Sequence, residues 1–166
     1  MSQNIELKIK LETFNDILNI LKKYEVQKEA VLKQRDIYYK QKDGLLKLRI
    51  YSTNGEVIYY KRDESAKDRV SNYQILNVDP KEAEEFFKYI FETEVEVKKV
   101  RFLYLYKNTR IHLDEVEGLG KFLELETVVK GSTEEGIDEF NSVVELLRLD
   151  TSKQLKSSYR TILLER

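Results

Sequence analysis

The strongest constraint on this chain is a period of two that places charge on one face of strand after strand. In residues 4–11, Ile5, Leu7, Ile9 and Leu11 point one way, and Asn4, Glu6, Lys8 and Lys10 point the other. In residues 109–116, Arg110, His112 and Asp114 share a face. A turn at Gly118-Leu119-Gly120 follows. In residues 122–129 the chain resumes with Phe122, Glu124 and Glu126 on one face and Leu123 and Leu125 on the other. Residues 45–52 offer Lys47 and Arg49, residues 57–62 offer Lys61, and residues 69–78 offer Arg69, Ser71 and Tyr73. Residues 94–106 offer Lys99 and Arg101. A half-buried strand hides its apolar face and wets its polar one. Here the polar faces carry guanidinium, ammonium and carboxylate groups at fixed spacing, the chemistry that holds phosphates and divalent cations.

The segments between these strands read as helices. Phe14, Ile17, Leu18 and Leu21 form one stripe; Ala83, Phe86, Phe87 and Ile90 form a second; Ile137, Phe140, Val144 and Leu147 form a third. Asp79 with Pro80 and Glu82 marks the start of the second helix, and Ser132 with Glu135 the start of the third. Residues 157–164 read as a short helix or turn. Residues 30–39 complete the strand set. Asn54-Gly55 and Lys107-Asn108 mark hairpins, so the sheet is expected to be mostly antiparallel. The fold class is therefore α+β: eight strands, enough to close a β-barrel and remove its exposed edges, with helices packed on the outside.

Helices outside leave the charged face inside. The inward cations are then Lys8, Lys10, Lys47, Arg49, Lys61, Arg69, Lys99, Arg101 and Arg110, and the inward anions Glu6, Asp114, Glu124 and Glu126. This is an excess of about five positive charges. A dry lumen of that kind is untenable, because an unpaired buried ion costs several kcal/mol. The lumen is expected to be wet and to hold an anion. A polyphosphate with Mg²⁺ or Mn²⁺ satisfies both signs of charge. The alternative is an open sheet with a solvated charged face and helices packed behind it.

The whole chain is nearly neutral, with 29 Lys+Arg against 30 Asp+Glu. Net charge therefore gives no argument for a nucleic-acid or membrane partner. With no cysteine, disulfides, thiolate nucleophiles and Cys-bound zinc are excluded. His112 is the single histidine and reads as a polar neighbour of the carboxylates. No run of about 7–15 apolar residues opens the chain, so neither a signal peptide nor a membrane span is expected and a cytoplasmic location is. The 166 residues show no linker and are expected to form one domain, 1–166.

These residues resemble the CYTH superfamily, the triphosphate tunnel metalloenzymes, and within it most resemble the class IV adenylyl cyclases. Asn4-Ile5-Glu6-Leu7-Lys8 is similar to the family's Glu-x-Glu-x-Lys signature, and Asp36-Ile37-Tyr38 to its Asp-x-Tyr element. Lys47-Leu48-Arg49, Lys61, Arg69 and Lys99-Val100-Arg101 fall at its basic positions. Residues 114–126, DEVEGLGKFLELE, are the most specific match, and Ser158-Tyr159 with Leu163-Leu164 resembles the ending of the cyclase branch. The resemblance implies a tunnel that binds a triphosphate through Lys8, Lys10, Lys47, Arg49, Lys61, Arg69, Lys99, Arg101 and Arg110. It implies Mg²⁺ or Mn²⁺ on Glu6, Asp114, Glu124 and Glu126, and catalytic roles for Lys8, Lys61 and Arg101. The implied partner is a small-molecule triphosphate, with no nucleic acid and no membrane, in a monomer or homodimer. The implied activity is conversion of ATP to cyclic AMP and pyrophosphate. Hydrolysis of thiamine triphosphate or inorganic tripolyphosphate is the alternative, and non-catalytic binding of a nucleotide or polyphosphate a further one. Asn4 and Ser71 stand where acids are expected, which removes negative charge from the metal side and bears on whether one metal or two are held.

Overall fold

The computed structural model describes residues 2–62 and 70–166, without the side chains of residues 2, 62 and 70–72. The strands are β1 (Ser2–Leu11), β2 (Lys28–Tyr39), β3 (Leu45–Ile50), β4 (Gly55–Arg62), β5 (Val70–Val78), β6 (Thr93–Tyr106), β7 (Thr109–Val116) and β8 (Gly120–Val128). The helices are α1 (Asn15–Lys23), α2 (Pro80–Ile90), α3 (Thr133–Leu146) and α4 (Tyr159–Leu164). None of these helices is long and apolar enough to cross a membrane.

The strands form a closed barrel in the order β1-β5-β4-β3-β2-β6-β7-β8, and β8 pairs back onto β1. Every neighbouring pair is antiparallel. The expected α+β barrel is thus the observed one. The β6–β7 hairpin turns through Lys107 and Asn108, with Lys107 at φ +54°. Glu139 of α3 clamps this turn, accepting from the backbone N–H of Asn108 at 2.8 Å and from its amide Nδ2 at 3.0 Å. Asn54-Gly55 does not make a two-residue turn. Ile50 pairs with Gly55 and a four-residue loop joins them. Gly55 is needed for another reason: a Cβ there would lie 3.1 Å from Pro80, where α2 begins.

Outward residues of the barrel meet the helices. Ile5, Leu7 and Ile9 of β1, Ile111 and Leu113 of β7, and Leu123 and Leu125 of β8 pack against α1 and α3 through Ile17, Leu21, Phe140, Val143 and Leu147. The caps behave as the sequence suggests. Asp79 accepts from the N–H groups of Lys81 and Glu82, and Ser132 and Glu135 form a reciprocal capping box. Two stripes are rotated from their expected positions. On α2, Ala83 and Phe87 pack on Tyr39, Ile37 and Leu48, whereas Phe86 and Ile90 are exposed. On α3, Val143 is buried and Ile137 is half-exposed, because the helix comes close to the barrel at Gly136, where a Cβ would sit 3.1 Å from Ile5 and Val129.

Leu125 is fully buried between β8 and the helices. Leu125→Ala is expected to lower stability by about 2–5 kcal/mol through lost burial and the cavity left behind, measured by urea denaturation.

A charged tunnel as the candidate active site

Closing the barrel turns one face of every strand inward. A cavity of about 270 Å³ results, lined by residues from all eight strands and by Ser158 and Tyr159 at the start of α4. The expected site residues it gathers are the cations Lys8, Lys47, Arg49, Lys99, Arg101 and Arg110 and the carboxylates Glu6, Glu124 and Glu126. Three expectations come out differently. Lys61 is not in the cavity. Glu56, Ile58 and Tyr60 face the lumen from β4, so Lys61 points outward, where it is exposed and paired with Asp43. Lys10 shares the inward parity but is exposed, with its Nζ 5.9 Å from the ring centre of Phe122. Asp114 is fully buried beneath the cavity wall, its oxygens taken by other groups. Arg69 lies outside the described residues, as does the side chain of Ser71.

The basic half of the lumen is organised by Asp36, which has no exposed surface. Arg49 donates to it from Nε and Nη2 at 2.7 Å each, Lys47 from Nζ at 3.1 Å and Lys99 from Nζ at 3.3 Å. Burial would push the Asp36 carboxyl up, but Arg49, Lys47 and Lys99 together hold it well below the usual carboxylate range. The same cluster leaves Lys99 as the weakest base. Burial, with Arg49 and Arg101 nearby, drops its pKa to about 7 despite Asp36. Asp36 already has three shorter hydrogen bonds from Arg49 and Lys47, so Lys99 is the proton easiest to lose.

The acidic half has two layers. In the lower one, Arg101 donates to Asp114 from Nε and Nη2 at 2.7 Å each, and the buried Tyr159 hydroxyl donates to Asp114 Oδ2 at 2.8 Å. Tyr159 thus braces the Asp114 carboxylate as well as packing. It packs edge-on against Phe122 at 4.9 Å and ties α4 to the barrel floor. In the upper layer Glu6 stands directly across from Glu126, and Lys8 across from Glu124. Like charges directly opposite repel unless something positive sits between them. Lys8 and Arg101 approach Glu124 only to 3.7 and 3.5 Å, longer than a tight charge-assisted bond. His112, Glu124 and Glu126 form a group whose ligand atoms all lie within 4.8 Å of one another. The donors are mostly carboxylate oxygens, a set that suits a hard divalent cation such as Mg²⁺ or Mn²⁺. Asn4 is no ligand: with its amide turned to satisfy both neighbours, it accepts from Arg110 Nη2 at 3.2 Å and donates to the Gln3 carbonyl at 3.1 Å.

The expected positive excess is absent among the described residues. Glu56 joins Glu6, Glu124 and Glu126 on the lining, and Asp36 and Asp114 sit behind it. These six carboxylates match the six lining cations. Two of these carboxylates escaped the charge-face reading. Asp36 alternates correctly with Gln34 and Tyr38, but β2 is buried on both faces at its end and shows no clean stripe. Glu56 lies on a strand whose two faces are both rich in apolar residues.

A closed antiparallel barrel whose lumen is lined by paired cations and carboxylates defines the class of fold. The CYTH domain matches residues 2–159, and the chain belongs to that family. It is 27% identical over 167 residues to a Methanocaldococcus jannaschii protein described as "Putative adenylate cyclase MJ0240", covering 93% of this chain and 95% of that protein. Among solved structures, the PH1012 protein of Pyrococcus horikoshii OT3 superposes with a TM-score of 0.82 at 25% identity, covering 95% of this chain and 98% of that one. A Hippeastrum protein, HpAC1, shares the fold with a TM-score of 0.72 at 14% identity, covering 99% of this chain and 96% of that one. It is described as a "Putative adenylyl cyclase" that "reveals a dominant triphophatase activity".

Two outcomes test the Asp36 cluster. Asp36→Asn strands three buried cations and is expected to cost about 3–5 kcal/mol in denaturant unfolding. Lys99 carries the pH signature. Between about pH 7 and its unfolded value of 10.5 the unfolded chain holds a proton that the folded one lacks. Stability from this group therefore rises with pH across that window, by up to about 1.4 kcal/mol per pH unit. Lys99→Met is expected to flatten that rise in unfolding curves collected from pH 7 to 10.

Proposed function

We propose that this protein is a divalent-metal-dependent enzyme acting on a triphosphate held in the tunnel, and that cyclisation of ATP to cyclic AMP and pyrophosphate is its reaction. The observation that carries this reading is the union of three surfaces in one lumen: the cations around Asp36 and Asp114, the acid group beside them, and an apolar wall of Ile58, Tyr60, Tyr73 and Ile75 from β4 and β5. A bare polyphosphate uses only the first two. An organic group such as a purine uses the third, since flat rings lie on apolar and aromatic side chains.

Lys8, Arg101 and Arg49 stand where phosphate oxygens would be held, and each is already oriented by a carboxylate or carbonyl partner. That orientation lowers the cost of arranging charge during reaction. Mg²⁺ or Mn²⁺ held by Glu6, Glu124 and Glu126 supplies neutralisation of the developing phosphate charge. In cyclisation the ribose 3′-hydroxyl gives up its proton to water, its oxygen bonds to the α-phosphorus, and the bond from that phosphorus to the bridging oxygen breaks. The new negative charge falls on the pyrophosphate, beside Lys8 and Arg101. Lys61, on the outer surface, has no part in this arrangement. The similarity to the M. jannaschii protein supports the cyclase reading. The shared fold with the Hippeastrum protein supports a second one, in which water attacks and the enzyme is a triphosphatase acting on tripolyphosphate or thiamine triphosphate.

Incubation with ATP and Mg²⁺ or Mn²⁺ is expected to yield cyclic AMP and pyrophosphate in equal amounts. Phosphate release from tripolyphosphate or thiamine triphosphate, with no cyclic AMP from ATP, would move the assignment to the second reading. Tight triphosphate binding in calorimetry without turnover of any of the three would leave a binding module. Under either enzymatic reading Glu124→Ala is expected to reduce kcat/KM by about a hundredfold or more, since even indirect supporters of a metal are worth about 10–100-fold.

A further inference from the structure

We propose that His112 is a direct metal ligand, completing a mixed imidazole–carboxylate site with Glu124 and Glu126 that prefers Mn²⁺ to Mg²⁺. The inference rests on the reading of the tunnel as a metal site, but not on which reaction the tunnel performs.

His112 sits on the inward face of β7, directly across from Glu124, and is 3% exposed. Its Nδ1 has no hydrogen-bond partner among the described residues. A buried polar atom left without a partner costs about 1–3 kcal/mol, so a position like this calls for an occupant. The Glu126 carboxylate does not supply one. Glu126 Oε1 is 3.9 Å from Nδ1, too far for a hydrogen bond. That separation does suit two ligands of one ion, since donors each about 2.1 Å from an octahedral centre stand about 3–4 Å apart.

The surrounding charges favour the same arrangement. Arg110 Nη2 holds the other oxygen of Glu126 at 3.0 Å, fixing the carboxylate so that Oε1 faces the imidazole. Glu124, held only loosely by Lys8 and Arg101, retains donor capacity toward the same point. Asp114, expected to complete the set, has both oxygens engaged by Arg101 and Tyr159. The place expected for Asp114 in the ligand set therefore passes to the histidine two residues earlier on the same strand face. Replacing an oxygen donor with an imidazole nitrogen has a chemical consequence. Mg²⁺ takes oxygen ligands almost exclusively, whereas first-row transition ions accept nitrogen readily and bind mixed sites more tightly.

The test uses the untagged full chain and Mn²⁺ alone. Because the chain contains one histidine, protein grown with ¹⁵N-histidine in a ¹⁴N background labels His112 uniquely. Pulsed EPR of bound Mn²⁺ is expected to show a directly coordinated nitrogen whose coupling changes from ¹⁴N to ¹⁵N character with the label. Bound Mn²⁺ with no histidine coupling would overturn the assignment of His112 while leaving a metal-binding tunnel in place. No bound Mn²⁺ at all would overturn both. As a second readout, His112→Gln is expected to weaken Mn²⁺ binding by about tenfold or more with Mg²⁺ binding nearly unchanged, measured by competition calorimetry. Equal weakening for both ions would argue that His112 only packs the wall. The isotope experiment needs no substitution, so it stands even if that variant folds poorly.

Discussion

The carboxylate of Asp36 is the contact on which the rest of the tunnel depends. Three cations from two other strands converge on it, Arg49 and Lys47 from β3 and Lys99 from β6. Burying any one of these without a counter-charge would cost several kcal/mol. One buried acid in the middle strand lets all three stand in a closed barrel with their ends aimed at the lumen. It also fixes their spacing, because the hydrogen bonds to Asp36 set the side-chain directions before any ligand arrives. The Arg101–Asp114 pair, braced by Tyr159, does the same on the facing wall.

This arrangement changes the electrostatic meaning of the cavity. An unneutralised basic tunnel would attract any anion and would be hard to fold. Here the described cations and carboxylates balance, and the selectivity comes from arrangement. The negative charge is concentrated where Glu6 faces Glu126, with Glu124 alongside. Loading that corner with a divalent ion converts a balanced lumen into a positive one. Under the proposed reading, a triphosphate and a cation would each favour the binding of the other.

Much of this could be read from alternation. On β1, β7 and β8 one face is mostly apolar and the other mostly polar, so the parity of Glu6, Lys8, Arg110, Glu124 and Glu126 follows from the alternation. Alternation gives no contrast where both faces carry the same kind of residue. On β4, Val57, Ile58, Tyr59 and Tyr60 give no contrast, and the charge on Lys61 suggested the wrong face. The partner choice of Asp114 was not legible either. Alternation places it inward, but only the packing of α4 through Tyr159 shows that it is sealed beneath the wall. His112 lay in plain view between Arg110 and Asp114. What distinguishes it is an orphaned ring nitrogen, and no strand pattern records whether a nitrogen has a partner.

The closure of the barrel through β1 has a consequence for how the molecule comes into being. β1 precedes the other described strands in the sequence; its neighbour β5 lies in the first half of the chain, whereas its other neighbour β8 is reached only after most of the chain has followed. As the chain emerges from a ribosome, β1 cannot complete its second edge until the last strand exists, and the long loop this closes carries the largest entropic cost of the fold. Until then its apolar face has α1, the next element in sequence, to shield it. The seam where the ring finally joins is the β1–β8 pair, the same line along which Glu6 meets Glu126 and Lys8 meets Glu124. The strand pairing of longest sequence separation in the barrel is therefore the one that creates the acidic corner.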